Sequence, residues 1–370
     1  MSKKPTNCCL FNLAHHYRKP IYKLMDSELC CDFYFADRSL SDVKKFDYSE
    51  LEGFRKELKA LFVNKFSYQR GAASLVFKRH YQKFILTGEP YCISTWFVLL
   101  FAKILGKKTY LWTHGWYGRE GIIKTIIKKV FFSLCTKVLL YGDYARNLMI
   151  KEGFKPDKLV CIYNSLDYDK QLKIREKLTQ SDVYKKHFGN DNPVAVYIGR
   201  IQKIKRLDLA VEALNLLNNE GKSFNLVVIG KDNENTGLEK LVSDYGLADY
   251  VWFYGPCYEE EVLGELIYNA DVCVTPGNIG LTVIHSFVYG TPVVTHNDFT
   301  KHGPEFEAIE EGVTGSFFDQ GSTADLSIKL WSWLGLSERD REDIRTKCYK
   351  VIEEKYNPHT QILTIKKVLG

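Results

Sequence analysis

No stretch of this 370-residue chain approaches the ~18 uninterrupted apolar residues that a membrane-crossing helix needs. The opening Met1-Ser-Lys-Lys-Pro-Thr also lacks the apolar segment of a secretory leader. Both absences predict a cytoplasmic chain, with the inner face of the cell membrane within its reach. None of the 10 cysteines forms a Cys-x-x-Cys pair, and several lie within apolar runs such as Val272-Cys-Val274. That pattern predicts buried free thiols in a reducing compartment and argues against disulfides or a zinc site. Gly-x4-Gly-Lys-Ser/Thr is missing, and Gly230 and Gly264 make no dinucleotide fingerprint. A strong charge of one sign is missing too. The net charge of +6 suits an anionic ligand or an acidic membrane surface and falls well short of a nucleic-acid footprint. Repeats and low-complexity tracts are absent. Aromatics are abundant, at 14% of residues, and such rings fill cores more often than they line clefts.

What the chain has is an alternation of short apolar runs with helical patterns, the signature of βα units. Strands are predicted at 8–13, 31–35, 83–86, 109–113, 137–141 and 159–162, with helices at 48–62, 95–105 and 144–152. The second half repeats the scheme, with strands at 194–198, 225–229, 251–253, 272–275, 292–295 and 315–318. Its helices are predicted at 207–218, 237–245, 259–270, 282–289, 304–311 and 324–334, and a helical tail at about 340–369. Two domains fit the length. Residues 1–168 form the first, 169–191 a charged, strand-poor linker, 192–345 the second, and 346–370 a final helix.

In the second half each β-run ends in glycine or a basic residue, where a doubly wound sheet presents N–H groups and cations to phosphates. The series is Val196-Tyr-Ile-Gly199-Arg200, Lys205, Val227-Val-Ile-Gly230, Phe253-Tyr-Gly255, Pro276-Gly-Asn-Ile-Gly280-Leu281 and Gly290-Thr-Pro292. Its order and spacing resemble the donor-binding half of GT-B glycosyltransferases of family 4. The resemblance covers residues 159–335 well and the first 150 loosely. It implies two doubly wound Rossmann-like domains, an interdomain cleft, and a last helix crossing back to the first domain. It also implies a nucleotide diphosphate sugar as donor. Arg200 and Lys205 stand where the family neutralises the leaving diphosphate, and Gly199 precedes them. Gly280, Leu281 and Thr282 open a helix suited to the same phosphates. Base contacts fall to Gly230-Lys231 and to Tyr254 and Gly255.

The family's Glu-x7-Glu pair is replaced by Gly277 and His285. His285 retains one donor or acceptor for the ribose, or is a helix histidine satisfied by a neighbour. Asn278 is a substitute contact to the sugar. Glu305 and Glu307, in Gly303-Pro-Glu-Phe-Glu307, either bind sugar hydroxyls in the vacated space or are acids at a helix start. Asp167-Tyr-Asp169 imitates a metal motif of another glycosyltransferase fold, but its place at the end of the first domain reads as a turn or cap.

On the acceptor side, His114 in Trp112-Thr-His-Gly115 matches a family histidine facing the sugar. His16 and Arg18, in His15-His-Tyr-Arg18, are candidates for an acceptor base or contact and for an anionic group. Residues 121–132 pattern as an amphipathic helix, with Lys124 and Lys128 on one face and isoleucines on the other. It either rests on an anionic membrane or packs inward with its lysines solvated.

The implied reaction is retaining, metal-independent hexosyl transfer to a hydroxyl of a glycan or lipid-linked acceptor, in polysaccharide assembly. No cofactor and no nucleic-acid partner are expected. Two opposed carboxylates of a glycosidase are not found. A GT-B sugar-nucleotide epimerase and a non-catalytic nucleotide-sugar-binding subunit are the alternatives.

Overall fold

The computed structural model of the protein describes residues 6–39 and 46–370. Met1–Pro5, part of the leader argument above, lies outside them. The chain divides into two compact units: Met1–Asp167 with Asn357–Gly370, and Tyr168–Tyr356.

Unit 1 is built on strands β1 (Asn7–Phe11), β2 (Cys31–Ala36), β3 (Phe54–Leu58), β6 (Lys83–Thr87), β7 (Lys108–Thr113), β8 (Lys137–Leu140) and β9 (Leu159–Cys161). They form one parallel sheet in the order β3-β2-β1-β6-β7-β8-β9, beside an antiparallel hairpin of β4 (Ala60–Val63) and β5 (Phe66–Gln69). Parallel sheets are covered on both faces, which is why every residue of β1 and β2 is buried, Asn7 and Asp32 included. Alternate side chains serve the two faces. Cys8, Leu10, Phe84, Leu86 and Leu111 pack with Val98, Leu99, Phe131, Phe132 and Met149 from helices α2 (Ile93–Ile104), α3 (Ile122–Leu134) and α4 (Asp143–Lys151). Cys9, Phe11, Phe33, Phe35 and Trp112 pack with α1 (Lys19–Leu29) and with Ile362, Ile365 and Leu369 of the C-terminal helix. Each such side chain contributes about 1.5–3 kcal/mol through burial.

Unit 2 carries β10 (Val194–Ile198), β11 (Asn225–Ile229), β12 (Val251–Gly255), β13 (Val272–Thr275), β14 (Val293–His296) and β15 (Gly315–Phe318). Its sheet is parallel throughout, in the order β12-β11-β10-β13-β14-β15. The winding reverses between β10 and β13, the crevice where doubly wound sheets bind ligands. Its helices are α5 (Tyr168–Arg175), α6 (Val183–Phe188), α7 (Leu207–Asn219), α8 (Leu238–Asp244), α9 (Glu260–Asn269), α10 (Thr282–Val288), α11 (Thr323–Trp331) and α12 (Glu338–Glu354).

Four expectations change, the first being the helix predicted at 304–311, which is a short 3-10 turn, Pro304–Ala308. The helix predicted at 48–62 is a 3-10 turn followed by β3 and the first strand of the hairpin. Its Leu-, Glu- and Lys-rich sequence favours a helix locally, but Gly53 lies where a Cβ would come within 1.9 Å of the Cys31 carbonyl oxygen. Pairing with β2 overrides propensity there. The linker predicted at 169–191 instead holds α5 and α6, both within unit 2. The predicted tail helix breaks at Pro358, before which Asn357 accepts a hydrogen bond from Thr360 N–H. Helix α12 stays in unit 2, and α13 (Pro358–Leu369) belongs to unit 1.

Candidate functional site

In unit 2 the connections leaving β10 and β13 meet at the reversal point. The first carries Gly199, Arg200 and a 3-10 turn, Lys203–Lys205; the second spans 276–281. Gly277 N donates to Lys205 O (2.8 Å) and Asn278 N to Ile204 O (3.0 Å). Lys205 Nζ returns the contact, donating to Asn278 O (2.5 Å) and Asn278 Oδ1 (3.3 Å). A Cβ at Gly277 would lie 2.1 Å from Ile204 O. Position 277 therefore has no room for a side chain.

Lys205 is half-buried, and burial pushes its pKa down to about 8, with the Arg200 charge adding and Glu305 opposing. Arg200 is exposed, and its side chain has no hydrogen-bond or ion-pair partner among the described residues. Glu305 is only 3% exposed. Its Oε2 would stand 2.8 Å from a Cβ on Gly303 and 3.7 Å from one on Gly280. Its carboxylate therefore fills the space beside Gly280, whereas Glu307, on the same 3-10 turn (Pro304–Ala308), is half-exposed.

A clamp that the sequence did not reveal holds the 276–281 loop. His302 Nδ1 accepts from Ile279 N (3.2 Å), its Nε2 donates to His296 O (2.8 Å), and its ring stacks on His296 at 4.0 Å. Burial pushes both imidazoles down to about 4, so they remain neutral near pH 7. Gly280 and Leu281 lead into α10, and the Thr282 hydroxyl donates back to Ile198 O (3.2 Å).

His285 turns to a neighbouring helix. Its Nε2 meets Glu260 Oε1 at 2.9 Å, and the same oxygen accepts from Tyr289 OH and Gln171 Nε2, both at 2.8 Å. Burial alone would raise the Glu260 pKa, but these hydrogen bonds hold it at about 2. Glu260, unassigned from the sequence because it reads as an ordinary acid in a helix first turn, is thus the carboxylate attached to His285. In the loops after β11 and β12, Gly230 is explained sterically: a Cβ there would lie 1.8 Å from Gly199 O. Lys231 is exposed, Tyr254 packs on Trp252 at 5.0 Å, and Gly255 has a φ of +85°.

In unit 1, His114 follows β7, is exposed, and has its ring 4.7 Å from that of Tyr141, tilted against it. Desolvation there, with the charges of Arg18 and Lys128, pushes its pKa down to about 4. His16 is exposed. Arg18 donates from Nη2 to the Tyr141 hydroxyl and lies against the rings of Trp112 and Tyr141. Along α3 the lysine face differs from expectation. Lys128 is buried and paired with Glu120 (2.6 Å), which accepts from the N–H groups of Tyr117, Gly118 and Arg119. The isoleucines point outward: Ile122 is 82% exposed and Ile123 76%. Inward packing of those isoleucines is thereby overturned, and of the two lysines only Lys124 is solvated.

Among the described residues, no three His, Cys, Asp or Glu side chains gather as a metal site. No helix there is long and apolar enough to cross a membrane. All ten cysteines are free.

Residues 180–351 match the family Glycosyl transferases group 1. The chain is 26% identical over 183 residues to alpha-D-kanosaminyltransferase of Streptomyces kanamyceticus, covering 48% of this chain and 46% of that protein. It is 24% identical over 244 residues to the amylovoran biosynthesis glycosyltransferase AmsK of Erwinia amylovora, covering 63% and 53%. The chain thus spans about half the length of the curated relatives it matches. Among solved structures, Anabaena Alr3699/HepE in complex with UDP superposes with a TM-score of 0.74 at 14% identity, covering 98% of this chain and 99% of that one. Two Rossmann-like units and parallel sheets are the GT-B fold.

Proposed function

We propose that this protein is a glycosyltransferase, moving a sugar from a nucleoside diphosphate sugar to a hydroxyl of a glycan or lipid-linked acceptor. The observation that carries this reading is the pair Arg200 and Lys205, two cations without carboxylate hydrogen bonds among the described residues, at the reversal point of the unit 2 sheet. A diphosphate leaving group gains negative charge as the glycosidic bond breaks, and preorganised cations stabilise that charge directly. Lys205, held on the Asn278 carbonyl, needs no rearrangement to meet it. The reaction is metal-independent in this reading, because these side chains supply the positive charge. It proceeds with retention, since leaving-group assistance and attack share one face. Glu305, Glu307 and Asn278 contact the sugar. Glu260, through His285, orders the ribose end, and the loops at Lys231 and Tyr254 take the base. In unit 1, His114 contacts the sugar as a catalytic residue, and His16 serves the acceptor side.

The match to an amylovoran glycosyltransferase supports a place in polysaccharide assembly. The outward isoleucines of α3 support docking on an anionic membrane. They border an apolar groove of about 850 Å³ shared with Phe66, Tyr91 and Trp96, rimmed by Lys65 and Lys124. Ile123→Asp together with Ile126→Asp is expected to abolish sedimentation with anionic vesicles while leaving the melting temperature unchanged.

The direct test is thermal shift with UDP, GDP and their sugars, followed by transfer assays with the ligand that stabilises most. Arg200→Ala and Lys205→Met each abolish the shift if the reading holds. A full shift in both variants, or epimerisation of the sugar without transfer, refutes it.

A further inference from the structure

The loop after β1 places a guanidinium in an aromatic box with no counter-ion among the described residues. Arg18 Cζ lies 5.3 Å from the ring of Tyr141, 5.5 Å from Trp112 and 5.7 Å from Tyr17. Its hydrogen bond goes to a neutral phenol, Tyr141. No carboxylate pairs with it among the described residues. Its Nε is buried without a partner, and so are His15 Nδ1 and Trp112 Nε1. Three of the eight orphaned buried side-chain polar atoms among the described residues therefore fall in this one cluster. Folded proteins tolerate few such atoms, and an uncompensated cation is the costliest kind.

Among the described residues, no carboxylate pairs with Arg18, and the cations around it are not matched by acids of its own cluster. Burial, and after it the Arg18 charge, depresses the pKa of both His15 and His114. Lys128, the other nearby cation, is already neutralised by Glu120. The cluster stands where the connections after β1, β7 and β8 emerge, and β1 flanks the point at which the unit 1 sheet reverses. Arg18 remains partly exposed, so an anion reaches it from solvent.

We propose that this cluster binds an oxyanion carried by the acceptor, a carboxylate or a phosphate ester on the glycan or lipid. The inference rests on the glycosyltransferase reading for the word acceptor, though not for the anion site itself. The guanidinium fork matches such an oxyanion bidentately, and the Trp112 indole N–H is a further donor within the same box. The neutral His114 imidazole then lies beside bound negative charge, which raises its pKa. Arg18 positions the acceptor and takes no part in bond breaking.

The experiment uses the full chain, with inorganic phosphate and glucuronate as probes, glucose as the neutral control and UDP as a separate arm. Tryptophan fluorescence and the melting temperature are the readouts. Phosphate or glucuronate should stabilise the wild-type protein, and glucose should not. Arg18→Gln should weaken that response roughly tenfold or more, with Arg18→Lys between. Both variants should keep the UDP shift and should be no less stable than wild type, because the arginine they replace lacks a counter-ion. A structural arginine would instead lose stability on replacement. The proposal falls if neither anion stabilises the wild type, or if the response survives Arg18→Gln, since the anion would then occupy the donor-phosphate site. Loss of the UDP shift alone, in the wild type, defeats the donor assignment and leaves the anion site standing.

Discussion

Replacing Lys205 with methionine separates what this side chain costs the fold from what it does for a ligand. Burial, aided by Arg200, lowers its pKa from 10.5 to about 8. At about pH 7 the folded and unfolded chains both hold the proton, and the folded chain carries the full cost of the confined charge. Between about pH 8 and 10.5 the folded chain sheds that proton while the unfolded chain keeps it, so stability rises with pH. Each pH unit in that window is worth about 1.4 kcal/mol, and moving from about pH 7 to 9.5 gives at most about 2 kcal/mol. The side chain is only half-buried, which reduces the expected gain to about 1 kcal/mol. Methionine does not titrate, so the difference between wild type and Lys205→Met isolates this group from everything else that titrates. Urea denaturation at the two pH values measures it: the wild type should gain about 1 kcal/mol over the variant at the higher pH. UDP should stabilise the wild type more at about pH 7 than at 9.5, and should not stabilise the variant. Parallel pH profiles for the two proteins would refute the buried-charge argument. A UDP shift retained by the variant would refute the phosphate role.

Glu260→Gln should destabilise unit 2 by about 1–3 kcal/mol near neutrality, because the carboxylate that gathers His285, Gln171 and Tyr289 loses its charge. Its pKa is depressed to about 2, so this stability is present above about pH 4.5 and is lost as pH falls toward 2. The acid limb of a thermal-melting profile should flatten in the variant. Gly277→Ala should cost at least ~2 kcal/mol in chemical denaturation, since its Cβ would lie 2.1 Å from Ile204 O. Gly277→Glu should therefore be no better tolerated, read as no gain in transfer rate. His302→Phe should loosen the 276–281 loop, because the accepting nitrogen for Ile279 N disappears. Limited proteolysis should then cut within that loop, and UDP binding should weaken severalfold.

The unit 2 sheet was legible because its strands are apolar runs punctuated by glycines at fixed places. Strands predicted at 194–198, 225–229 and 272–275 coincide with β10, β11 and β13. Residues 48–62 were illegible for the opposite reason. Their composition favours a helix, and only the long-range pairing of β3 with β2 reveals the strand. The hairpin turn at Asn64, with a φ of +51°, was a local signal that composition obscured. At the candidate site, Arg200 and Lys205 follow from spacing along one loop. The His285–Glu260 contact and the His302–His296 stack do not, because each joins residues on separate elements whose approach only the fold creates. The orientation of α3 was half legible. The stripe was visible, but Glu120, which draws Lys128 inward, lies just before the helix and lacks the helical spacing that would tie it to the lysine.

Because α13 completes the core of unit 1 with Ile362, Ile365 and Leu369, that unit is discontinuous in the chain. During synthesis, the first 167 residues leave the ribosome with one flank of their sheet bare, and it stays bare until the last helix emerges. Unit 2 is contiguous and has no such wait. Dissection at Asp167 would therefore yield an aggregation-prone amino-terminal fragment. A circular permutant that attaches Asn357–Gly370 ahead of β1 would supply the missing flank from the start.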